Sequence, residues 1–411
     1  MRLTHPLIQI GLGRSEAIDL PTFAETEIWE FRPSRGPAIL DVRRAVTQCV
    51  ESPCDFPAIS QAVVEGDRVV LAVDGNIPSV AQVVAGVVDA LPLQTLAHLS
   101  VLLSQETSPQ TLVEVVDAVG DRGEVSVHDP QNREQHGYLA ANAAADPIYL
   151  NRQLIEADLA VPIITARPVG SLDPNVMDGG VMPAFADADT QNRLRQETIA
   201  AGGADDREAA EAAWLLGVQM LVAVMPTARA EVAQVFAGTP AGVRRQTDSA
   251  NAANAANDVP AYSRKAELVF ACLDGDRQQQ SWQNVARALH VARHLINPGG
   301  TIVVTSHLAA PIGRSLRRLA STEEWEKTQK RLARDAGPDT LAATLISQLR
   351  QEGRVLLMSD LAAEQIESLG IGAIETPEQI NRLIRGHATC AVIRSAQFCG
   401  TAQFCQPSLT D

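Results

Sequence analysis

The chain has 411 residues, enough for about two domains at roughly 150 residues each. Aromatics are few, so the cores must be built from Ala, Val, Leu and Ile. Its net charge of −15 is concentrated in the first 258 residues, where 17 Arg and no Lys face 34 Asp plus Glu, a net of −17; residues 259–411 hold 17 basic and 15 acidic residues. That field repels phosphate backbones, so no nucleic-acid partner is expected, and an anionic ligand needs a local Arg pocket.

In chain order, residues 1–36 read as a proline-punctuated entry with edge strands at Leu7 to Leu12 and Glu27 to Phe31. Helical spacing runs from Ile39 to Val50 and stops at Ser52-Pro53. A short helix, Ile59 to Glu65, leads into the apolar run Arg68 to Val73, which has the look of a buried parallel strand. The turn Asp74-Gly75-Asn76 follows, and Pro78-Ser79 opens a helix to about Leu91. Further strands are expected at Leu96 to Leu103, Glu124 to His128, Pro147 to Asn151, Leu159 to Ile164 and Met220 to Val224, with helices at Ser108 to Val119, Arg152 to Glu156 and Gln191 to Leu216. Thr165 to Gln191 is a long loop, and loops of that length are usually functional.

Ser249 to Asp258 is low in complexity and reads as a connection between domains. Beyond it come strand Leu268 to Leu273, the turn Asp274-Gly275-Asp276, helix Gln280 to Leu295, the turn Asn297-Pro298-Gly299-Gly300 and strand Thr301 to Thr305. Helices across Pro311 to Ala336 and Thr340 to Gln351, strand Arg354 to Ser359, helices Ala362 to Leu369 and Pro377 to Arg385, and strand Cys390 to Arg394 complete it. The alternation defines α/β architecture: two domains, 1–258 and 259–395, each a mostly parallel sheet flanked by helices, with a cleft between them, and a tail, 396–411, that can return to the first. Six cysteines without a CxxC pair fit a reducing cytoplasm. No secretory leader is evident, and without an apolar run of about 18 residues no membrane contact is expected.

Strand, polar turn, then helix is how open α/β sheets build ligand sites at their carboxyl edge. Asp74-Gly75-Asn76 can therefore bind a ligand through backbone N–H groups, or simply join strand to helix. Ser104-Gln105-Glu106-Thr107 either faces the same crevice or is a turn with Ser108 as helix cap. Gly179-Gly180 either shapes a cofactor loop or supplies positive φ, and Arg167 and Arg193 flank that loop as anion-gripping candidates. His128-Asp129 reads as an acid–base pair or an Asx turn. His290 and His294 have metal-ligand spacing on a helix, without a third ligand in view.

The segments ILDVRRAVTQCVESPCDFPAI, RVVLAVDGNIP, VSVHDPQ, PIYLNRQLIEADLAV, MDGGVMPAF, LVFACLDGD, WQNVARAL and NPGGTIVV, in this order, resemble the nickel-pincer lactate racemase family, the LarA-like fold. The resemblance implies a two-domain protein that interconverts the two hands of lactate or related 2-hydroxy acids. It also implies a nickel-pincer nucleotide tethered to a lysine, with histidines as acid–base partners and nickel ligands. Against the family's Asp-His-Thr-Arg-Pro, Asp74 and Pro78 remain but Gly75, Asn76 and Ile77 intervene. Ser104-Gln105-Glu106-Thr107 stands for Gly-x-His-Arg, Gly179-Gly180 is followed by Val181-Met182-Pro183 without lysine, and Asn192-Arg193 stands for Asn-His. No lysine precedes Lys265 and no histidine lies between His136 and His290, so the first domain cannot form the lysine-linked cofactor.

The expectation is a degenerate member that binds a small hydroxy acid or nucleotide-like ligand with Asp74, Gly75, Asn76, Gln105, Glu106, Arg167, Gly179, Gly180 and Arg193 around the cleft and no metal. The alternative is a 2-hydroxy-acid racemase or epimerase with relocated groups, requiring a cleft lined by Glu106, Arg167 and Arg193, with His128 as an optional fourth.

Overall fold

The β-branched run Arg68–Val73 forms a strand buried from Val69 to Val73, the pattern of a strand covered on both faces. The computed structural model describes residues 9–401, apart from 14–15, 22, 24, 32–35, 143, 169, 173–178, 202–206, 256–263, 322–323 and 336. This strand is central, pairing in parallel with His98–Leu103 and with Leu159–Thr165. Glu124–Val127 closes one edge of the sheet; Leu221–Pro226 and then the antiparallel Val232–Gly238 close the other. Helices Val42–Glu51, Val80–Ala90 and Pro109–Val119 cover one face with Val and Leu side chains. On the other face an apolar cluster gathers Phe185, Met182, Leu150 and helix Arg207–Leu216.

Two of the covering helices cross where Gly86 sits. A Cβ there would lie 2.5 Å from the Arg43 carbonyl oxygen and 2.7 Å from Val46 Cβ, so glycine lets the backbones approach.

The second sheet is parallel throughout, in the order Gly372–Ile374, Arg354–Met358, Ile296–Thr305, Ala266–Cys272, Thr389–Ile393, Glu27–Phe31. Helices Trp282–Leu295 and Thr340–Glu352 pack on one face. The strand Gln9–Leu12 and helix Pro377–Arg385 pack on the other. The architecture is thus the expected α/β, with two sheets flanked by helices. Among the described residues no helix is long and apolar enough to cross a membrane.

Several local expectations are corrected. Pro147–Asn151 is not a strand of the large sheet but pairs antiparallel with His136–Ala141, a strand missed in the sequence. Its alternating burial leaves one face outward, with Tyr149 against Tyr138, which suits a hairpin and not a doubly covered sheet. Val232–Gly238 was missed because it is an edge strand, half-buried in its middle. Within Gln191 to Leu216 the described residues form helices Ala188–Ala201 and Arg207–Leu216, and 202–206 fall outside the described residues. Asn297-Pro298-Gly299-Gly300 lies inside strand Ile296–Thr305.

The stretch 249–255 is the end of helix Pro240–Ala255, not connection; 256–258 fall outside the described residues. Strand Glu27–Phe31 belongs to the second sheet, so the chain before about Ile39 serves the unit that a boundary at 258 assigns to the later residues. At the other end, Ser395 Oγ donates to Ala228 O and Thr401 N–H to Gly170 O, both in the first unit. Residues 7–8, 177–178 and 402–411 of the sequence reading lie outside the described set.

Candidate functional site

Strand Arg68–Val73 comes first in the sheet's chain order, and later strands add on either side of it. The crevice at the carboxyl ends of Arg68–Val73 and Leu159–Thr165 is therefore a switch point, where such sheets take ligands. Here side chains fill it. Asp74 Oδ2 accepts from Arg167 Nη2 at 3.3 Å, both residues being 3% exposed. The turn's N–H groups are also used internally: Gly75 donates to Ser104 Oγ, Asn76 to Asp74 Oδ1 and Ile77 to Asp74 O. The backbone N–H groups of Asp74-Gly75-Asn76 are thus all used within the protein, and of the turn's donors only the buried Asn76 Nδ2 has no hydrogen-bond partner among the described residues.

The second sheet repeats the device. Asp274 follows Ala266–Cys272, Arg394 follows Thr389–Ile393, and the two form a buried ion pair at that sheet's own switch point.

The cavity lies beside the first turn, between the two units. Asp74, Ser104, Gln105, Glu106, Gln191, Arg195, Thr198, Gln283 and Arg287 supply its polar wall, and Leu172, Ala184 and Leu341 its apolar wall. Its volume is about 80 Å³, room for several waters or a ligand of a few heavy atoms. Pockets for drug-sized molecules run to roughly 300–1,000 Å³.

Two cations line it, in different electrical states. Arg287 Nη2 donates to both oxygens of Glu106 at 2.9 Å and Nη1 to Asn284 Oδ1 at 2.8 Å. Arg195 Nη1 donates to Asn192 Oδ1 at 2.8 Å and to Asp335 O at 3.0 Å, but no carboxylate is hydrogen-bonded to it among the described residues. Loss of water around its guanidinium pulls Arg195 from 12.5 down to about 10, with Glu106, Asp335 and Asp339 acting in the opposite sense, so it is cationic at neutral pH. Gln283 and Thr198 are more than nine-tenths buried, line the cavity, and make no side-chain hydrogen bond among the described residues. Gln105 Nε2 donates to Gln191 Oε1 at 2.6 Å, which orients the Gln191 amide toward the carbonyls of Ala184 and Ala186.

Of the residues expected around the cleft, Asp74, Gln105 and Glu106 line this cavity. Asn76 is in the seam between the units, accepting from Asn284 Nδ2 at 2.7 Å, and Gly75 is pressed against Thr107 with no room for a Cβ. Arg167 stands behind Asp74 and not in the cavity wall. Arg193 is elsewhere: it pairs with Glu208 and Glu197 on an outer groove, since a helix turns consecutive residues apart and Arg195 takes the inward position. Gly179 and Gly180 pack inward too; at Gly180, φ is +66° and a Cβ would lie 2.5 Å from Pro162 Cβ, so this glycine serves packing against the strand.

Ser104 lines the cavity too, as the crevice-facing reading of Ser104-Gln105-Glu106-Thr107 expected, whereas Gln191, Arg195, Thr198, Gln283 and Arg287 were not among the expected cleft residues. The signal was present as helical spacing: Gln191, Arg195 and Thr198 stand at i, i+4 and i+7, and Gln283 and Arg287 at i and i+4.

The histidines are held elsewhere. His128 Nδ1 meets Asn151 Nδ2 at 3.1 Å and Nε2 meets Ala186 O at 2.9 Å. Burial pushes His128 down to about 4, so it is neutral, Nε2–H donating. Asp129 Oδ1 accepts from Gln131 N–H, the Asx arrangement. His290 Nε2 meets Gly170 O at 3.3 Å, and burial pushes His290 down to about 4. Of Glu106, Arg167 and Arg193, which the racemase alternative places in one cleft with His128 as an optional fourth, only Glu106 lines this cavity.

What these features define is a two-unit α/β protein with a small polar cavity at the seam, and the fold is LarA-like. The chain is similar to the lactate racemase apoprotein from Thermoanaerobacterium thermosaccharolyticum, with a TM-score of 0.75 and 14% identity over 96% of this chain and 99% of that one. It is also similar to a crystallised protein from Thermotoga maritima, with a TM-score of 0.57 and 13% identity over 81% of this chain and 91% of that one. No protein-family model and no curated protein sequence matches it.

The residues present do not fit a lysine-tethered nickel-pincer nucleotide. Val181 and Met182, after Gly179-Gly180, are fully buried in an apolar cluster, where an attachment point would have to reach the cleft. The first lysine, Lys265, is beside Arg293 and Glu352 at the amino-terminal end of the second sheet. Among the described residues no three of His, Cys, Asp and Glu converge as a metal site.

Proposed function

We propose that this chain is a LarA-like protein without lysine-tethered nickel-pincer chemistry, and that it binds a small organic anion in the cavity between its units. The observation that carries this reading is Arg195. Its charge faces a cavity whose other cation, Arg287, is already bonded to a carboxylate. A half-buried, desolvated cation of this kind is stabilised by an anion, and charge-assisted hydrogen bonds from a guanidinium match a carboxylate. Gln283 and Thr198 supply an amide and a hydroxyl for a second polar group on the same ligand. The volume of about 80 Å³ favours a small acid over a nucleotide-like ligand.

Titration calorimetry with glycolate, lactate, glyoxylate and pyruvate tests the binding. Saturable one-to-one binding of at least one acid is expected. The nickel part is tested by co-expression with the enzymes that make the pincer cofactor. Nickel at one equivalent together with lactate racemisation would overturn the proposal.

A further inference from the structure

The polarity of one cavity wall is fixed from behind, by backbone groups that have a single possible role. A carbonyl oxygen only accepts, so the Gln191 edge that meets Ala184 O at 3.3 Å and Ala186 O at 3.1 Å is Nε2. Gln191 Oε1 is then the edge turned to Gln105, which presents its own Nε2 at 2.6 Å. The carbonyl segment is itself held in place. Asn151 N–H donates to Phe185 O, Asp187 N–H to Tyr149 O, and His128 Nε2–H to Ala186 O at 2.9 Å. Gln191 is buried, and turning its amide over would set an oxygen against two carbonyl oxygens.

The consequence falls on Gln105. Its nitrogen is engaged with Gln191, whereas its Oε1 takes no hydrogen bond among the described residues and is not sealed from its surroundings. Gln105 lines the cavity, so the group it has left to offer there is an acceptor. Arg195 stands one helical turn from Gln191 and lines the same cavity.

We propose that Gln191 is a positioning residue that fixes the Gln105 amide with its oxygen towards the ligand. Gln105 thereby selects small acids whose second group donates a hydrogen bond, a hydroxyl or an ammonium, over acids whose second group only accepts. The proposal rests on the reading of this cavity as a small-anion site in which Arg195 takes the carboxylate. An oxo group in that place would set its oxygen against Gln105 Oε1, and two desolvated acceptors would face each other unpaired. An amide free to turn over would impose no such choice, because it offers N–H or oxygen as the ligand requires. The choice comes from Gln191.

The test is calorimetric binding of lactate, alanine, pyruvate and propionate to wild type, Gln191→Met and Gln105→Met. The four acids share one carbon frame and differ at the second carbon, which carries a hydroxyl, an ammonium, an oxo group or only hydrogen. Wild type is expected to bind lactate or alanine about tenfold more tightly than pyruvate, with propionate in between. Whichever of lactate and alanine binds more tightly identifies the donor as hydroxyl or ammonium. Gln191→Met lets the Gln105 amide turn over, so pyruvate should gain and the preference should shrink to about twofold. Gln105→Met removes the acceptor and should shrink it equally.

A merely structural role for Gln191 would weaken every acid alike and leave the preference intact, which would overturn the proposal. A wild type that favours pyruvate, or does not distinguish the acids, would overturn it too. In these cases acids still bind, and the small-anion reading stands. No binding of any of the four acids to wild type or to either variant would overturn that reading and this proposal together. Thermal unfolding shows whether each variant folds. Should Gln191→Met fail to fold, Gln105→Met decides: a lost preference supports the proposal and a retained one overturns it.

Discussion

Asp74 and Arg167 face each other across the carboxyl ends of two adjacent parallel strands, 3.3 Å apart and withdrawn from water. Asp274 and Arg394 do the same in the second sheet. Each sheet thus plugs a switch point with an aspartate from the turn after a central strand, Arg68–Val73 or Ala266–Cys272, and an arginine from beyond the neighbouring strand. The ligand space moves to the seam between the units. An ion pair in that position is costly to break from the arginine side, because the Asp74 carboxylate would stay buried without this cation.

Arg167→Met removes one partner and leaves the Asp74 carboxylate buried. A loss of about 3–5 kcal/mol of stability is expected, read from the midpoint of urea unfolding. A change within a few tenths of a kcal/mol would mean that the pair is hydrated in solution.

Arg195→Gln keeps a hydrogen-bonding side chain at the cavity wall but removes the charge. Binding of the preferred acid should fall by about 1.5–3 kcal/mol, roughly tenfold to a hundredfold. Arg193→Gln, two residues away on the outer groove, should leave affinity unchanged. Equal losses from the two would contradict the inward placement of Arg195.

The buried histidines make stability depend on pH. His128 and His290 are each pushed down to about 4 by burial, against 6.5 for the exposed ring, so the unfolded chain binds more protons in that interval. Their contribution is complete above about pH 6.5 and is lost as pH falls towards about 4. His128→Gln should flatten that dependence, measured as unfolding midpoints between pH 4 and 7. A slope identical to wild type would show that His128 is not buried neutral.

Gly86→Ala introduces a Cβ 2.5 Å from the Arg43 carbonyl oxygen at the crossing of two helices. The intrinsic helix propensity of alanine would favour the substitution by up to about 1 kcal/mol. The backbone contact opposes it, and overpacking of this kind costs about 1–3 kcal/mol. A net loss of stability is expected, and a rise in melting temperature would refute the close crossing.

The sequence alone determined the α/β class, the central strand with its turn, and the absence of any lysine before Lys265. These depend on local periodicity and on counts. Buried parallel strands such as Arg68–Val73 announce themselves as β-branched runs, and a lysine missing from 258 consecutive residues cannot be restored by folding. Half-exposed strands such as His136–Ala141 and Val232–Gly238 lack that signature, and both were missed.

Only the tertiary structure decided which polar residues share a space. Arg167 and Arg193 looked equivalent in the sequence, yet one is locked to Asp74 and the other points to an outer groove. Arg195 drew no notice, Arg287 entered only as part of the segment WQNVARAL, and the two are the cations lining the cavity. The physical reason is that the cavity is assembled from two units some hundreds of residues apart in the chain. Which face a helix turns towards the seam is set by how whole sheets and helices pack, not by the residues next to a motif.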